Sequence, residues 1–526
     1  MKVLISDKMD QAGIDIFKNE EGIDVDVITG LSPQELKEII GDYHALAIRS
    51  ATKVTKDILD AATHLKVVGR AGIGLDNVDI PEATRHGVAV MNTPGGNTVT
   101  TAEHAISMMM ALTRNIPRGT ATLKKGLWEK KNLQGRELFN KTLGVIGFGN
   151  IGSIVARLAQ GLKMQVVIFD PNISADHIEK AGFESVTLEE LYQRSDYITI
   201  HVPKIEATTH LLDKQAFSMM KTGVMIINCA RGGIIEEKDL YDAIVSKKVA
   251  GAALDVFEKE PPKDNPLLTL DEVIATPHLG ASTKEAQTNV AVAVANQIIA
   301  YLKRDTIINA VNVPSVTGEL LTKLKPYLFL AEKMGLMQSQ LVKGPFKEIV
   351  IEYAGNFFDL NLKPVTLAAL RGFLTPLVSY EVNSVNAGAL AKTMGIKVTE
   401  TTSQESENYL NLIRMTVVTE TGTNLVAGTI FGKDDPRIIR INKFRLEVIP
   451  DGHLALIHNI DKPGSIGNIG TCLGKHDINI AKMMVGREDD GDRNIIFLQT
   501  DTPISAEIAE EISGLGLVNS MVTFEL

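Results

Sequence analysis

Residues 141–170 read KTLGVIGFGNIGSIVARLAQGLKMQVVIFD, and this stretch decides the fold. A short apolar strand over 143–146 runs into Gly147-Phe148-Gly149-Asn150-Ile151-Gly152. A helical stretch follows, with Ile154, Val155, Leu158 and Leu162 at helical spacing, and a second apolar strand over 165–169 ends in Asp170. In such a unit Gly147 allows the tight turn, Gly149 lets backbone approach a pyrophosphate, and Gly152 lets helix lie close to strand. The helix N-terminus offers unpaired N–H groups and a positive dipole end to the phosphates. Asp170 closes the second strand, where a carboxylate accepts hydrogen bonds from ribose hydroxyls. A glycine-rich turn alone is weak evidence, but here strand, helix and acid stand together at the spacing a dinucleotide site requires. Asp170 would repel a 2′-phosphate and Pro171-Asn172-Ile173 supplies no Arg, which favours NAD over NADP.

A length of 526 residues suggests about three or four domains. The chain is 44% hydrophobic and 22% charged, with formal net charge −10 at pH 7. That balance argues against a general nucleic-acid or anionic-membrane surface, so an anionic substrate needs a local basic pocket. The two cysteines, Cys229 and Cys472, stand far apart without a ligand-spaced partner. No disulfide framework or metal site is implied, and a reducing cytoplasm fits. The first residues, Met-Lys-Val-Leu-Ile-Ser-Asp, hold too short an apolar run for a signal peptide, and no run is long enough to span a membrane.

Residues 1–95 alternate between strand candidates at 3–6, 25–28, 45–48 and 67–69 and helix candidates at 8–19, 32–40 and 56–62, which implies a parallel sheet. Arg49-Ser50 follows the third strand and Arg70-Ala71-Gly72-Ile73-Gly74 follows the fourth. Both loops lie at strand carboxyl ends, where open α/β sheets bind ligands. Arg49 is suited to an anion, and the amides of Gly72, Ile73 and Gly74 to a carboxylate nest. A long helix from Thr100 to about Asn115 carries Met108, Met109 and Met110, read as packing. Beyond Asp170 the alternation continues. Strands at 197–202, 224–228, 251–255 and 273–276 end in His201-Val202-Pro203, Cys229-Ala230-Arg231, the acidic Asp255–Glu260 run and Pro277-His278-Leu279-Gly280.

Three of these strand ends offer Arg231, Glu260 and His278, which can converge on one sheet edge. Oxidising a hydroxy acid with a nicotinamide needs a base for the hydroxyl proton and a cation for the carboxylate and developing carbonyl. His278 suits the base because imidazole titrates near neutrality. Glu260 would orient its ring, and the guanidinium of Arg231 pairs with carboxylate as a fork.

The motifs GFGNIG, NCARGG, DVFEKEPP and TPHLGAST, in that order, resemble those of the D-isomer-specific 2-hydroxyacid dehydrogenases over about residues 1–315. The resemblance implies a Rossmann-type nucleotide-binding domain at 96–288, inserted in a flavodoxin-like substrate domain formed by 1–95 and 289–315, with a returning helix over 289–303. It makes Arg231, Glu260 and His278 the catalytic set. Its dinucleotide contacts fall on the Gly147–Gly152 turn with Asn150 and Ile151, and on Asp170, Val202, Pro203, Cys229, Ala230, Arg231, Asp255, His278 and Gly280.

Residues 450–526 read β-α-β-β-α-β, a ferredoxin-like split βαβ, with a turn expected at 488–492. With Asp461-Lys-Pro463-Gly464 and Asp477-Ile-Asn479-Ile-Ala481 it resembles an ACT domain, whose effector contacts fall on Asn459, Asp461 and Asn479. Residues 316–445 form an intervening α/β module: helices at 321–341, 366–377 and 386–394, and strands at 347–353 and 414–418. Arg440, Lys443 and Arg445 read as a solvated basic edge. Dehydrogenase, intervening module and ACT domain in this order resemble the long, phosphoglycerate-oxidising branch of the family. That implies oxidation of 3-phosphoglycerate to 3-phosphohydroxypyruvate with NAD, opening serine biosynthesis, with L-serine as effector. Arg49 matches that branch's phosphate-binding Arg-Ser pair, and Ala51 stands where some relatives have a second Arg. ACT domains pair edge to edge and the Met-rich helix suggests a second contact, so a homo-oligomer, tetramer or dimer, is expected. A glyoxylate or hydroxypyruvate reductase shares every catalytic residue, and an NAD(H)-sensing binding protein shares the fold.

Overall fold

In the computed structural model, residues 1–315, 318–357, 360–405, 408–487 and 493–526 are described. They form four sheets. The first holds β1 (Lys2–Ile5), β2 (Asp24–Val27), β3 (Ala45–Ile48), β4 (Val67–Arg70) and β5 (Ala89–Met91), all parallel in the order β2-β1-β3-β4-β5. This is the doubly wound, flavodoxin-like order. β5 and the helix Ile80–Arg85 before it escape sequence reading because each is a single short run.

The helix Lys284–Arg304 returns onto this sheet. It starts five residues before the expected 289, because the Thr283 side chain accepts from the Ala286 N–H and caps it there. The fit is tight. A Cβ on Gly69 of β4 would stand 2.6 Å from Ile298 Cδ1, and one on Gly13 would stand 2.7 Å from the Ala291 carbonyl. Thr288 Oγ1 to Asp10 Oδ2 at 3.0 Å and Lys303 Nζ to the Glu21 carbonyl at 2.6 Å tie the two ends of this half together.

The second sheet holds β6 (Thr142–Ile146), β7 (Gln165–Phe169), β8 (Glu184–Ser185), β9 (Tyr197–Ile200), β10 (Val224–Asn228), β11 (Val249–Leu254) and β12 (Val273–Ala275). Its order is β12-β11-β10-β9-β6-β7-β8, parallel throughout. The chain winds outward from β6 in one direction and then from β9 in the other, so the Gly147–Gly152 turn lies at the switch point where such sheets bind ligands. The helix Thr98–Thr113 packs on this unit; Met108 and Met109 are buried and Met110 is exposed.

The third sheet is mixed: β13 (Phe346–Gly355), β14 (Lys397–Ser403), β15 (Asn411–Thr419), β16 (Thr423–Phe431), β17 (Asp435–Ile441) and β18 (Phe444–Val448), in the order β14-β13-β15-β16-β17-β18. The helices Gly318–Leu341 and Lys363–Leu374 cross at glycines, where a Cβ on Gly335 would lie 2.0 Å from the Ala369 carbonyl. The helix expected to Leu377 stops at Leu374 and finishes as a 3₁₀ turn through Thr375-Pro376-Leu377. β16 to β18 are not anticipated from sequence. Arg440 and Arg445 face one another across the β17–β18 hairpin, whose turn uses Asn442 at φ 50°.

The fourth sheet is antiparallel, β19 (His453–Ile460), β20 (Ile480–Arg487), β21 (Arg493–Thr500) and β22 (Val518–Glu525), in the ferredoxin-like order β20-β21-β19-β22 with helices Ser465–Lys475 and Ala506–Ser513. The turn expected at 488–492 lies outside the described residues. Among the described residues no helix is long and apolar enough to cross a membrane.

Candidate active site

The glycine turn after β6 behaves as its residues require. Gly147 has φ 95°, and a Cβ there would stand 2.6 Å from the His201 carbonyl and 2.8 Å from Val202 Cγ1. A Cβ on Gly152 would stand 1.9 Å from the Gly147 carbonyl, so only glycine lets the helix Asn150–Gly161 start here. Gly149 has nothing within 4 Å of its Cβ position, which leaves open space over the helix N-terminus. Asp170, at the end of β7, accepts from the Phe148 N–H at 2.8 Å and the Asn172 N–H at 2.8 Å. Its carboxylate therefore sits against the glycine turn itself. This cradle fits the pyrophosphate and ribose of NAD.

Three loops from β10, β11 and β12 converge. A Cβ on Gly232 would fall 1.7 Å from the Phe257 carbonyl, which presses the loop carrying Arg231 onto the loop carrying Glu260. Phe257 N–H donates to Glu260 Oε1 at 3.2 Å, and the other oxygen, Oε2, lies 2.8 Å from His278 Nδ1. His278 itself has φ 54°, its N–H donating to the Asp255 carbonyl at 3.0 Å. Asp255 is fully buried, and its carboxylate accepts from Thr276 Oγ1 at 2.5 Å, Leu279 N–H at 2.7 Å and Gly280 N–H at 2.8 Å. Burial pushes this carboxyl up, but the hydrogen bonds from His104, Thr276, Leu279 and Gly280 outweigh it and hold the group below its ordinary value. Asp255 thus shapes the turn that presents His278. Cys229 is buried at the end of β10, its thiol pushed up by burial and then by Asp255.

Arg231 reaches across to the first sheet. Its Nε donates to Asp76 Oδ2 at 3.2 Å, and its Nη1 to the Ala230 carbonyl at 2.7 Å. A Cβ on Gly74 would stand 1.9 Å from Arg231 Nη2 and 2.9 Å from Arg70 Nη1. Two guanidiniums from different sheets therefore meet at one glycine. Arg70 is the functional candidate that sequence reading passed over as a loop residue. Its Nε donates to the Arg49 carbonyl at 3.2 Å, and its Nη1 is buried with no hydrogen-bond partner among the described residues. Burial, then the neighbouring Arg231, brings Arg70 down to about 10, still a cation at neutral pH.

Other expected contacts are modified. Gly72 N–H already donates to Thr93 Oγ1 at 2.9 Å, so the nest shrinks to the amides of Ile73 and Gly74. Arg49 is half-buried, its Nη1 3.3 Å from the Lys8 carbonyl, and Ser50 is exposed. In the C-terminal unit Asn459 is buried, its Nδ2 donating to Ser465 Oγ at 2.8 Å and to the Ile460 carbonyl at 3.1 Å. Through Nδ2 it braces the turn from inside, while its Oδ1 has no hydrogen-bond partner among the described residues. Asp461 is exposed, and Asn479 donates to Asp501 Oδ2 at 2.7 Å.

Three family models match the chain: D-isomer specific 2-hydroxyacid dehydrogenase, NAD binding domain, over residues 106–280; D-3-phosphoglycerate dehydrogenase intervening domain over 323–442; and ACT domain over 453–516. The chain is 42% identical to D-3-phosphoglycerate dehydrogenase of Archaeoglobus fulgidus over 99% of each chain. It is also 42% identical to D-3-phosphoglycerate dehydrogenase of Bacillus subtilis, over 100% of this chain and 99% of that one. The chain belongs to the D-3-phosphoglycerate dehydrogenase family. As a member of that family it is an NAD-dependent 2-hydroxyacid dehydrogenase.

Solved structures resemble the dehydrogenase part. D-lactate dehydrogenase from Escherichia coli superposes with TM-score 0.53 at 29% identity, covering 59% of this chain and 100% of that one. NAD-dependent formate dehydrogenase from Staphylococcus aureus, in complex with NAD, gives 0.54 at 28% identity over 60% of this chain and 100% of that one. What sets the D-3-phosphoglycerate dehydrogenase relatives apart is likeness along the whole chain, through the third and fourth sheets.

Proposed function

We propose that this dehydrogenase oxidises 3-phospho-D-glycerate to 3-phosphohydroxypyruvate with NAD, the opening step of L-serine biosynthesis. The observation that carries the reading is the pairing of Arg70 and Arg231 around Gly74, beside the loops that hold His278 on Glu260. A substrate with both a carboxylate and a phosphate needs more than one cation, and full-length relatives of this name support the same choice. NAD, when bound, supplies the hydride acceptor. The Gly147–Gly152 turn, Asp170, Val202, Pro203 and the ends of β10 and β11 hold it. Arg231 pairs with the substrate carboxylate and steadies the developing carbonyl. His278 takes the hydroxyl proton at Nε2, since Nδ1 is held by Glu260. Arg70 and Arg49 balance the phosphate charge, with the amides of Ile73 and Gly74 on the carboxylate side. L-serine acts as effector through Asp461 and Asn479 of the ACT unit, and the chain works as a homo-oligomer.

The test is the initial rate of NADH oxidation with 3-phosphohydroxypyruvate, with and without L-serine. A rate that falls with serine agrees with both parts. A rate indifferent to serine removes the effector assignment and keeps the enzyme. No rate, with hydroxypyruvate active instead, overturns the substrate.

A further inference from the structure

The two helices of the C-terminal unit, Ser465–Lys475 and Ala506–Ser513, pack side by side and bring three unlike donors together. Cys472 lies in the first helix and His476, four residues on, is its C-cap. Glu511 projects from the second helix. His476 Nε2 lies 2.7 Å from Glu511 Oε2, and the Cys472 thiol lies close to the same pair. One ligand atom from each of the three lies within 4.8 Å of the other two. Cys472 is 4% exposed, while the side chains of His476 and Glu511 are 37% and 48% exposed. The thiol thus closes the inner side of the cluster and the other two donors open to solvent, giving an ion a path in. None of the three serves the dehydrogenase chemistry or the expected effector contacts.

We infer that Cys472, His476 and Glu511 form a binding site for a divalent ion of the zinc class, clasping the two helices of the ACT unit. Thiolate, imidazole and carboxylate are the donor set such an ion takes, with a fourth position left to water. Bonds of about 2.0–2.3 Å in a tetrahedron place ligands about 3.5 Å apart. The His476–Glu511 contact at 2.7 Å therefore opens, a movement that two exposed side chains make at small cost. Binding displaces the thiol proton to solvent. A surface His–Glu pair alone contributes little and gives no reason for a cysteine beneath it.

The experiment uses the full chain, stripped with chelator and titrated with Co²⁺ and then Zn²⁺. A thiolate-to-cobalt charge-transfer band should saturate at a single equivalent per chain, be displaced by Zn²⁺, and vanish in Cys472→Ser. His476→Gln, at an exposed position, should weaken metal affinity at least about tenfold. Both variants should keep the wild-type rate of NADH oxidation, and Zn²⁺ should raise the melting temperature of the wild type more than that of either variant. A folded chain with no charge-transfer band overturns the site. So does a band that survives Cys472→Ser, which would place the thiolate at Cys229, or an unchanged affinity in His476→Gln. Metal bound without thiolate character points to the His210–Glu236–Glu258 cluster instead and also overturns it.

Discussion

His278 Nδ1 lies 2.8 Å from Glu260 Oε2, and the Phe257 N–H holds the other oxygen of that carboxylate at 3.2 Å. The ring is thereby fixed through one nitrogen and kept available through the other. His278→Asn should lower kcat by about 10²–10⁴-fold, the usual contribution of a positioned acid–base group. Glu260→Gln keeps the shape and should cost less, about 10–10²-fold by the same reasoning. Binding of NADH, followed by its fluorescence, should stay near wild type in both. Lost NADH binding would count against His278 as the base.

Arg70 is half-buried, and its Nη1, beside Arg231, is buried without a hydrogen-bond partner among the described residues. Replacing it with Met removes a charge that costs stability while the site is unliganded. Arg70→Met should leave the melting temperature unchanged or higher. It should raise KM for the phosphorylated substrate by about 10–100-fold, the size of a lost charge-assisted hydrogen bond. A fall in melting temperature with an unchanged KM would make Arg70 a structural residue.

Asp170 both accepts from the Phe148 N–H and offers a carboxylate at the end of β7. Asp170→Ala should weaken NAD binding and narrow the preference for NAD over NADP, read as the ratio of kcat/KM for the two. An unchanged ratio would contradict a ribose contact.

Asp255 is a carboxyl held below its ordinary value in the folded chain. Such a group contributes stability that is fully present above its unfolded pKa and is lost as pH falls through the folded one. Asp255→Asn should therefore cost about 1–3 kcal/mol at neutral pH. Thermal melts taken downward in pH should show the gap to wild type closing below the carboxylate range, under about pH 4. A gap constant across that range would mean that the four donors do not depend on the charge.

The Gly147–Gly152 turn is legible in sequence because its glycines answer to local demands: a positive φ at Gly147, and a carbonyl 1.9 Å from any Cβ on Gly152. The same holds for Arg231, Glu260 and His278, which sit at the ends of recognisable strands. Arg70 is not legible that way, because its burial and its meeting with Arg231 arise only when loops from two sheets close on Gly74. Nor is the interior position of Asn459, which depends on the helix Ser465–Lys475 folding back over the end of β19. β17 left a signal that its arginines mask. Arg437 precedes and Arg440 interrupts an otherwise apolar run of Ile438, Ile439 and Ile441, while Gly432 and Asn442 at positive φ mark the hairpin turns.

The proposed chemistry requires that this site select a phosphorylated 2-oxo acid. The measurement that tests it most directly is the kcat/KM ratio for 3-phosphohydroxypyruvate over hydroxypyruvate, taken in wild type and in Arg70→Met. The ratio should be at least about 10² in wild type and fall by about tenfold or more in the variant, each tenfold step being about 1.4 kcal/mol of lost phosphate recognition. A wild-type ratio near or below unity would contradict it.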